Sequence, residues 1–339
     1  IGFVSAKNWT AYTEQYLYRN RIILSETTRY QHIVLTESRA GDIACYINGH
    51  LQFNSFDEYI YHENLVHPAF AIAPVHKNIL ILGGGDGLAL REVLKYSDVK
   101  KVTLCDIDPV MTELAKENPA LSSLNNGSLQ NSKVSILKNS ALLPADTTIL
   151  EIANQNKTLQ YDFEPVAEVE IINLDAAKFI EQISGLYDII IIDFPDPNSP
   201  DLAKLYGMQF YQNLKHKLSA FGIFVQQSTS PVHAKEAFLC IGRTMKAAGL
   251  ATVPYHDNVP SFGEWGWWIG GKSGPFSESK IKEKLENIET IPVNRRYLTT
   301  ELIKSSLNFG INQLNSDEVD ITTTANNQVF KYYLQAWQR

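Results

Sequence analysis

The segment Asn78-Ile79-Leu80-Ile81-Leu82 runs directly into Gly83-Gly84-Gly85-Asp86-Gly87. Such an apolar run, stopped by clustered glycines, predicts a buried strand ending in a tight turn. A helix follows, with Leu90, Val93 and Leu94 on one face. The alternation then repeats. Lys101–Cys105, Val169–Ile172, Tyr187–Ile192 and Gly222–Val225 read as strands. Pro109–Lys116 and the stretches around 176–184, 202–218 and 234–248 read as helices. Apolar strands alternating with helices predict an α/β fold built on a doubly wound parallel sheet.

Residues 1–72 read differently, as a small N-terminal β-meander domain. Arg21–Leu24, Gln31–Leu35 and Ala44–Ile47 are short β-rich runs, and Asp57–Val66 looks helical. Asn48-Gly49, between Tyr46-Ile47 and His50–Phe53, predicts a two-residue hairpin, because both turn positions need φ > 0. The sheet domain is assigned to 73–272. Its stretch 118–166, rich in Asn, Ser, Gln and Thr without a clear period, is read as an insertion. Residues 273–339 are read as a C-terminal helical tail. No internal repeat is present.

Charge narrows the function. With 30 Lys+Arg against 37 Asp+Glu the net charge is −7, which argues against nucleic acid, a partner that calls for a basic face. Three widely spaced cysteines (Cys45, Cys105, Cys240) exclude a disulfide scaffold and a CxxC zinc site, and suggest a reducing, cytoplasmic setting. No apolar run approaches the roughly 20 residues that span a bilayer. The chain starts at Ile1 rather than Met, which leaves room for an upstream membrane segment.

In a doubly wound sheet, ligands bind outside the carboxyl ends of the strands. The residues there are Gly83–Gly87, Asp106 with Asp108, Asp175, and Asp193 with Asp196. A crescent of carboxylates opposes a phosphate-rich ligand and suits hydroxyls, an exocyclic amine and positive charge. Asp106, 23 residues past Gly83, stands where a carboxylate accepts ribose hydroxyls. Asp108, ahead of Pro109, reads as a helix N-cap. In Asp193-Phe194-Pro195-Asp196-Pro197 the prolines fix two carboxylates at one strand end. Desolvation and like charge there raise a pKa towards the range of a proton acceptor.

Two other patterns are set aside. Gly266–Ser273 satisfies the P-loop expression, but Trp267 and Trp268 fill the loop positions and Pro275 opposes the helix. His62 and His67 are five apart, which is not a helix-spaced metal pair, and no metal site is predicted. Trp265, Trp267 and Trp268 read as core or pocket wall.

Taken together, Gly83–Gly87, Cys105-Asp106-Ile107-Asp108 and Asp193–Pro197 leading to Leu205-Tyr206 resemble the polyamine aminopropyltransferases, the spermidine synthases. Tyr30-Gln31, Leu51-Gln52, Asp57–Glu63, Phe210-Tyr211 and Val225–Ser228 agree. The resemblance covers about residues 15–272 and is nearest to a bacterial subgroup in which such a domain can follow a membrane segment. It implies a Rossmann-like methyltransferase-type domain behind a small β-domain, assembled as a homodimer. The implied reaction transfers aminopropyl from decarboxylated S-adenosylmethionine to an amine, most simply putrescine to spermidine, and releases methylthioadenosine. The donor is a co-substrate, and no tightly bound cofactor is implied.

By motif, the resemblance places Gln31, Gln52, Gly83, Gly85, Asp106, Asp175, Ala176 and Pro200 around the nucleoside. It places Tyr61, His62, Asp86 and Asp196 around the amines, and makes Asp193 the proton acceptor. Asp86 would also repel the carboxylate of intact S-adenosylmethionine. Ser199 replaces the usual glycine before Pro200, and Phe262 stands where many relatives carry an amine-contacting tyrosine. Glu264 is a candidate substitute ligand for an ammonium or, equally, an interface residue. The rival readings are an S-adenosylmethionine-dependent methyltransferase on the same fold and a non-catalytic polyamine or nucleoside binder.

Overall fold

The structure is a computed structural model and describes residues 13–130, 134–137 and 167–338. It divides into two compact units, Ile1–Glu58 and Tyr59–Arg339.

The first unit is an antiparallel sheet of strands β1 (Arg21–Thr27), β2 (His32–Glu37), β3 (Ile43–Ile47) and β4 (His50–Asn54), in that order. Ile33, Val34, Leu35, Ala44, Cys45 and Phe53 are its buried apolar side chains among the described residues. Asn48 and Gly49 have φ of 52° and 81°, so the turn takes the left-handed conformation that the Asn-Gly pair predicts.

The second unit holds β5 (Asn78–Gly83), β6 (Lys101–Asp106), β7 (Val134–Leu137), β8 (Glu168–Asn173), β9 (Tyr187–Asp193), β10 (Leu218–Gln227), β11 (Leu250–Val259) and β12 (Gly263–Lys272). Their order in the sheet is β11-β12-β10-β9-β5-β6-β8-β7. The strands from β10 to β7 are parallel, and β12 pairs antiparallel with both β10 and β11. Alternate residues enter two cores. Ile79, Ile81, Ile189 and Ile191 face one, and Leu80, Leu82, Ile190 and Ile192 the other. Burial on both faces explains why these strands are continuous apolar runs.

Several boundaries differ from the sequence reading. The helix Glu58–Ile72 sends Ile60, Leu65, Val66 and Ala69 into the core of the second unit, so the division falls at 58 rather than 72. Part of the presumed insertion is regular. Asn118 caps a helix Pro119–Leu124, a 3₁₀ turn spans Ser128–Gln130, and β7 adds an edge strand. The stretch 138–166 lies outside the described residues. The P-loop look-alike is β12, an extended strand. A Cβ on Gly270 would lie 2.3 Å from the Ala251 carbonyl, so this glycine serves close strand packing. Residues 273–338 are no appendage. Ile281, Leu285, Leu298 and Ile303 complete one core, and Val329 and Tyr333 complete the other. No helix among the described residues is long and apolar enough to cross a membrane.

Candidate active site

β5 is the first strand of the large sheet, with β6 on one side and β9 on the other. The chain therefore reverses its direction of winding between β5 and β9. A crevice opens outside the carboxyl ends at such a switch point. Gly83 and Gly84 occupy it with φ of 82° and 66°. A Cβ on Gly83 would lie 2.2 Å from the carbonyl oxygen of Asp193, and one on Gly85 would lie 2.6 Å from Cγ of Asp106. The missing side chains thus allow the Asp193 backbone and the Asp106 carboxylate to close on the loop from neighbouring strands.

Asp106 Oδ2 accepts the Gly85 N–H at 3.0 Å and Oδ1 accepts the Asp108 N–H at 2.8 Å. Burial outweighs these bonds and pushes its carboxyl up to about 7. The β8 end is tied to the same residue, since Leu174 N–H donates to the Asp106 carbonyl at 3.1 Å. Asp175 and Ala176 therefore follow beside Asp106. Asp175 caps the helix Ala176–Gln182 by accepting the Lys178 N–H at 3.0 Å. Asp108 is the N-cap expected of it, accepting the Val110 N–H at 3.0 Å. Asp86 Oδ1 accepts the Leu88 N–H at 2.9 Å, which steadies the turn into the helix Leu88–Val93. Pro200 opens the short helix Pro200–Ala203 behind its cap Ser199.

The stretch 118–130 supports this loop. Asn125 Nδ2 donates to the Asp86 carbonyl at 2.9 Å, and Ser128 Oγ donates to the Gly87 carbonyl at 2.8 Å. Sequence periodicity gives no sign of either contact, because each joins residues about 40 apart.

At the β9 end, Asp193 Oδ1 accepts the Tyr61 hydroxyl at 2.5 Å. Burial raises the Asp193 carboxyl, while His62 and the Tyr61 hydroxyl pull it down. Burial, reinforced by Asp193, holds the Tyr61 phenol well above its usual range, so it remains a donor. Tyr61 and His62 sit on the helix Glu58–Ile72, whose position is fixed from outside. Pro68 has no N–H for the Asn64 carbonyl, and the Tyr255 hydroxyl donates to that carbonyl instead at 2.7 Å. Trp267, with its ring centroid 5.7 Å from that of Tyr61, and Phe262, at 6.0 Å, form an aromatic wall. Trp267 is itself fully buried in one core, and Trp268 lies in the other, stacked on Phe238.

Asp196 lies in a net of neutral donors. Gln227 Nε2 reaches its Oδ1 at 3.4 Å, and Thr229 Oγ1 reaches its Oδ2 at 3.3 Å. Burial raises its carboxyl to about 6 in spite of them. Gln227 also donates to the Phe194 carbonyl and, at 3.0 Å, to Tyr206 Oη. Thr229 holds a φ of 62°, strained for a β-branched residue, and its N–H donates to Gln227 Oε1 at 3.1 Å. Gln227 and Thr229 escaped the sequence reading as site residues.

The constellation described above belongs to the second unit. Gln31 and Gln52 lie in the first, Gln31 in the β1–β2 turn bonded to Thr28, and Gln52 on β4 with its Nε2 donating to the His50 carbonyl at 3.0 Å. Glu264 is engaged by His256, whose other ring nitrogen meets the Asn308 carbonyl at 2.8 Å, so its carboxylate serves the β11–β12 pair. His67 is a structural partner. It bridges Tyr96 Oη at 2.9 Å and Glu92 at 3.0 Å, while Lys95 and Arg91 also neutralise Glu92. Glu63 completes that group by accepting the N–H groups of Arg296, Tyr297 and Leu298 at 2.6, 3.0 and 2.8 Å.

A family model described as the spermine/spermidine synthase domain matches residues 58–143 and 142–282. Curated proteins named polyamine aminopropyltransferase are similar over nearly the whole chain. One from Leptospira interrogans is 36% identical over 100% of this chain and 59% of its own length. One from Oceanobacillus iheyensis is 37% identical over 96% of this chain and 55% of its own. The chain thus spans a little over half the length of these relatives. Among solved structures, a spermidine synthase in complex with the transition-state analogue AdoDATO superposes with a TM-score of 0.65 at 24% identity, covering 86% of each chain. The Thermotoga maritima spermidine synthase gives 0.63 at 23%, covering 86% of this chain and 85% of its own. At that identity the likeness speaks for the fold.

Proposed function

This chain belongs to the spermine/spermidine synthase domain family, and we propose that it is a polyamine aminopropyltransferase acting on decarboxylated S-adenosylmethionine and a polyamine, putrescine first. The observation that carries the reading is the spacing of three desolvated carboxylates, Asp106, Asp193 and Asp196, along one rim of the sheet.

The proposed division of labour follows from position. Asp106 accepts the ribose hydroxyls, with Asp175 and Ala176 at the base and Pro200 lining that side. Asp86 takes the aminopropyl ammonium and disfavours the carboxylate of intact S-adenosylmethionine. Tyr61, His62 and Asp196 hold the acceptor amine.

An aliphatic amine has a pKa near 10 and arrives protonated at neutral pH. Asp193 binds that ammonium and takes one proton, which frees the nitrogen lone pair. The nitrogen then attacks the aminopropyl carbon beside the sulfonium, and the C–S bond breaks with its electron pair returning to sulfur. Methylthioadenosine leaves as a neutral thioether. Alignment of nitrogen, carbon and sulfur supplies much of the acceleration. A homodimer acting in the cytoplasm accompanies this reading and is open to sedimentation and fractionation.

The test is mass spectrometry of products after incubation with decarboxylated S-adenosylmethionine and a panel of di- and triamines. Methylthioadenosine and an aminopropylated amine are expected. Asp193→Asn should lose a factor of about 10² to 10⁴, the usual worth of a general base. Undiminished turnover by this variant would refute the proton-acceptor role. Methyl transfer from intact S-adenosylmethionine would refute the donor.

A further inference from the structure

We infer that a cleft at the amino end of the large sheet binds an amphipathic anion, an acyl or aryl carboxylate. Its apolar body meets Phe221 and Phe276, and its head meets Lys280 and Lys284. None of these residues belongs to the carboxylate rim, so the cleft stands apart from the aminopropyltransferase reading. It has a volume of about 340 Å³, at the small end of ligand pockets. Pro74, Phe221, Pro275, Phe276, Lys280 and Lys284 line it. Pro74 lies ahead of β5 and Phe221 near the start of β10, at the opposite ends of these strands from the rim.

The aromatic walls are set by the local backbone. β10 pairs Leu218 with Tyr187 and Ile223 with Ile189, so Ser219–Gly222 stand opposite Asp188 alone. A bulge of this kind re-aims a side chain. Gly222 permits it, since a Cβ there would lie 2.8 Å from the Tyr187 carbonyl oxygen. The bulge turns out Phe221, which is 59% exposed. Phe276 stands edge-on to it, with ring centroids 6.5 Å apart. Gly271 makes room for that ring, because a Cβ there would lie 2.4 Å from Phe276 Cδ2. The Phe276 N–H donates to the Lys272 carbonyl at 3.1 Å and fixes the turn. A lone exposed phenylalanine is ordinary on a protein surface. This one forms a wall of a cleft whose rim carries charge.

That charge comes from the helix Glu278–Glu286, which buries Ile281 and Leu285 on one stripe. Lys280 and Lys284 each precede a stripe residue by one position and flank it on the cleft side. Lys282 and Glu286 flank it on the other side and pair with each other at 3.7 Å. Glu278 pairs with Lys246 at 2.9 Å, and Glu283 falls on the face away from the stripe. Among the described residues no carboxylate pairs with Lys280 or Lys284. Two exposed cations without partners thus border an apolar cleft. The sign excludes a polyamine. A polyphosphate would find only two cations and leave the aromatic walls unused. A single carboxylate on a carbon chain or ring uses both.

The test is calorimetric titration of the full chain with octanoate, octylamine and inorganic phosphate. Octanoate should bind with a Kd on the order of 10⁻⁴ M, which about ten heavy atoms reach at ordinary ligand efficiency. Octylamine has the chain with the wrong charge, and phosphate has the charge without the chain. Each should bind more weakly by about tenfold or more. Lys280→Gln with Lys284→Gln should weaken octanoate about fivefold and remove most of its salt dependence. Phe221→Ser should weaken it by about the same factor and leave the salt dependence in place. Circular dichroism and melting temperature check that the variants fold, and the lysine pair decides if Phe221→Ser does not. Octylamine binding as tightly as octanoate would overturn the inference, as would octanoate affinity that neither set of substitutions changes. Binding to phosphatidylglycerol vesicles without binding of free octanoate would overturn it in favour of a membrane surface. Self-association lost in Phe221→Ser, again without octanoate binding, would overturn it in favour of a second copy.

Discussion

Asp106→Asn should stabilise the unliganded protein, and by more as the pH rises. Asparagine matches the acid in shape and carries no charge, though its NH₂ cannot accept, so one of the two backbone N–H bonds from Gly85 and Asp108 is given up and the gain is reduced accordingly. The folded carboxyl titrates at about 7, against an ordinary aspartate near 3.9 in the unfolded chain. A raised folded value means that the native state binds the proton more tightly. Stability is therefore greatest below about pH 4 and falls as pH climbs to about 7, after which it levels. The difference of roughly 3 units at 1.36 kcal/mol each sets a ceiling of about 4 kcal/mol. Asp106 keeps some accessible surface, so screening by solvent lowers the expectation to about 2 kcal/mol at pH 8. At pH 5 the gain should be well under half of that. For a unit of this size the change corresponds to about 4 °C in Tm. Paired thermal melts of wild type and variant at pH 5, 6.5 and 8 measure it, and the other carboxylates cancel in the difference. Methylthioadenosine should reverse the ranking, since only the wild type offers the ribose a charged acceptor. A variant no more stable than wild type at pH 8, or a gap that is constant from pH 5 to 8, would refute the reasoning.

Further outcomes follow from the same geometry. Tyr61→Phe removes a charge-assisted bond worth about 1.5–3 kcal/mol, so Asp193 should titrate one to two units higher and the acid limb of turnover should shift with it; an unmoved pH profile would contradict this. Gly83→Ala places a Cβ 2.2 Å from the Asp193 carbonyl at a φ of 82°, and should cost about 2 kcal/mol or more of stability together with activity, read by denaturant melts and product assay. Asn125→Ala removes the bond to the Asp86 carbonyl and should weaken donor binding several-fold in calorimetry, with little effect on amine KM.

Much of the rim was legible because each residue there stands directly after a doubly buried strand. Ile79–Leu82, Val102–Cys105 and Ile189–Ile192 announce their own ends, and the glycine loop, Asp106 and Asp193 fall at those ends. The antiparallel pair β11–β12 was not legible. His256, Asp257 and Asn258 interrupt its apolar pattern, and the glycines of β12, present for close packing, mimic a phosphate loop. The donors around Asp196 were hidden for another reason. Gln227 and Thr229 reach it from a strand end and a strained loop, and no local period registers contacts of that range. The glutamate at 264 shows the converse: a suggestive motif neighbour whose charge is taken by a histidine on the adjacent strand.

The stretch after β12 closes one core with Ile281, Leu298 and Ile303, then the other with Val329 and Tyr333. The order of synthesis therefore sets the order of completion. A nascent chain that has emerged as far as Lys272 has all eight strands of this sheet but leaves part of each hydrophobic layer uncovered. The second unit cannot finish folding until the residues around Tyr333 are available, so it must wait for them with apolar surface exposed. Early termination in this region would release a sticky, unfinished domain rather than a trimmed enzyme.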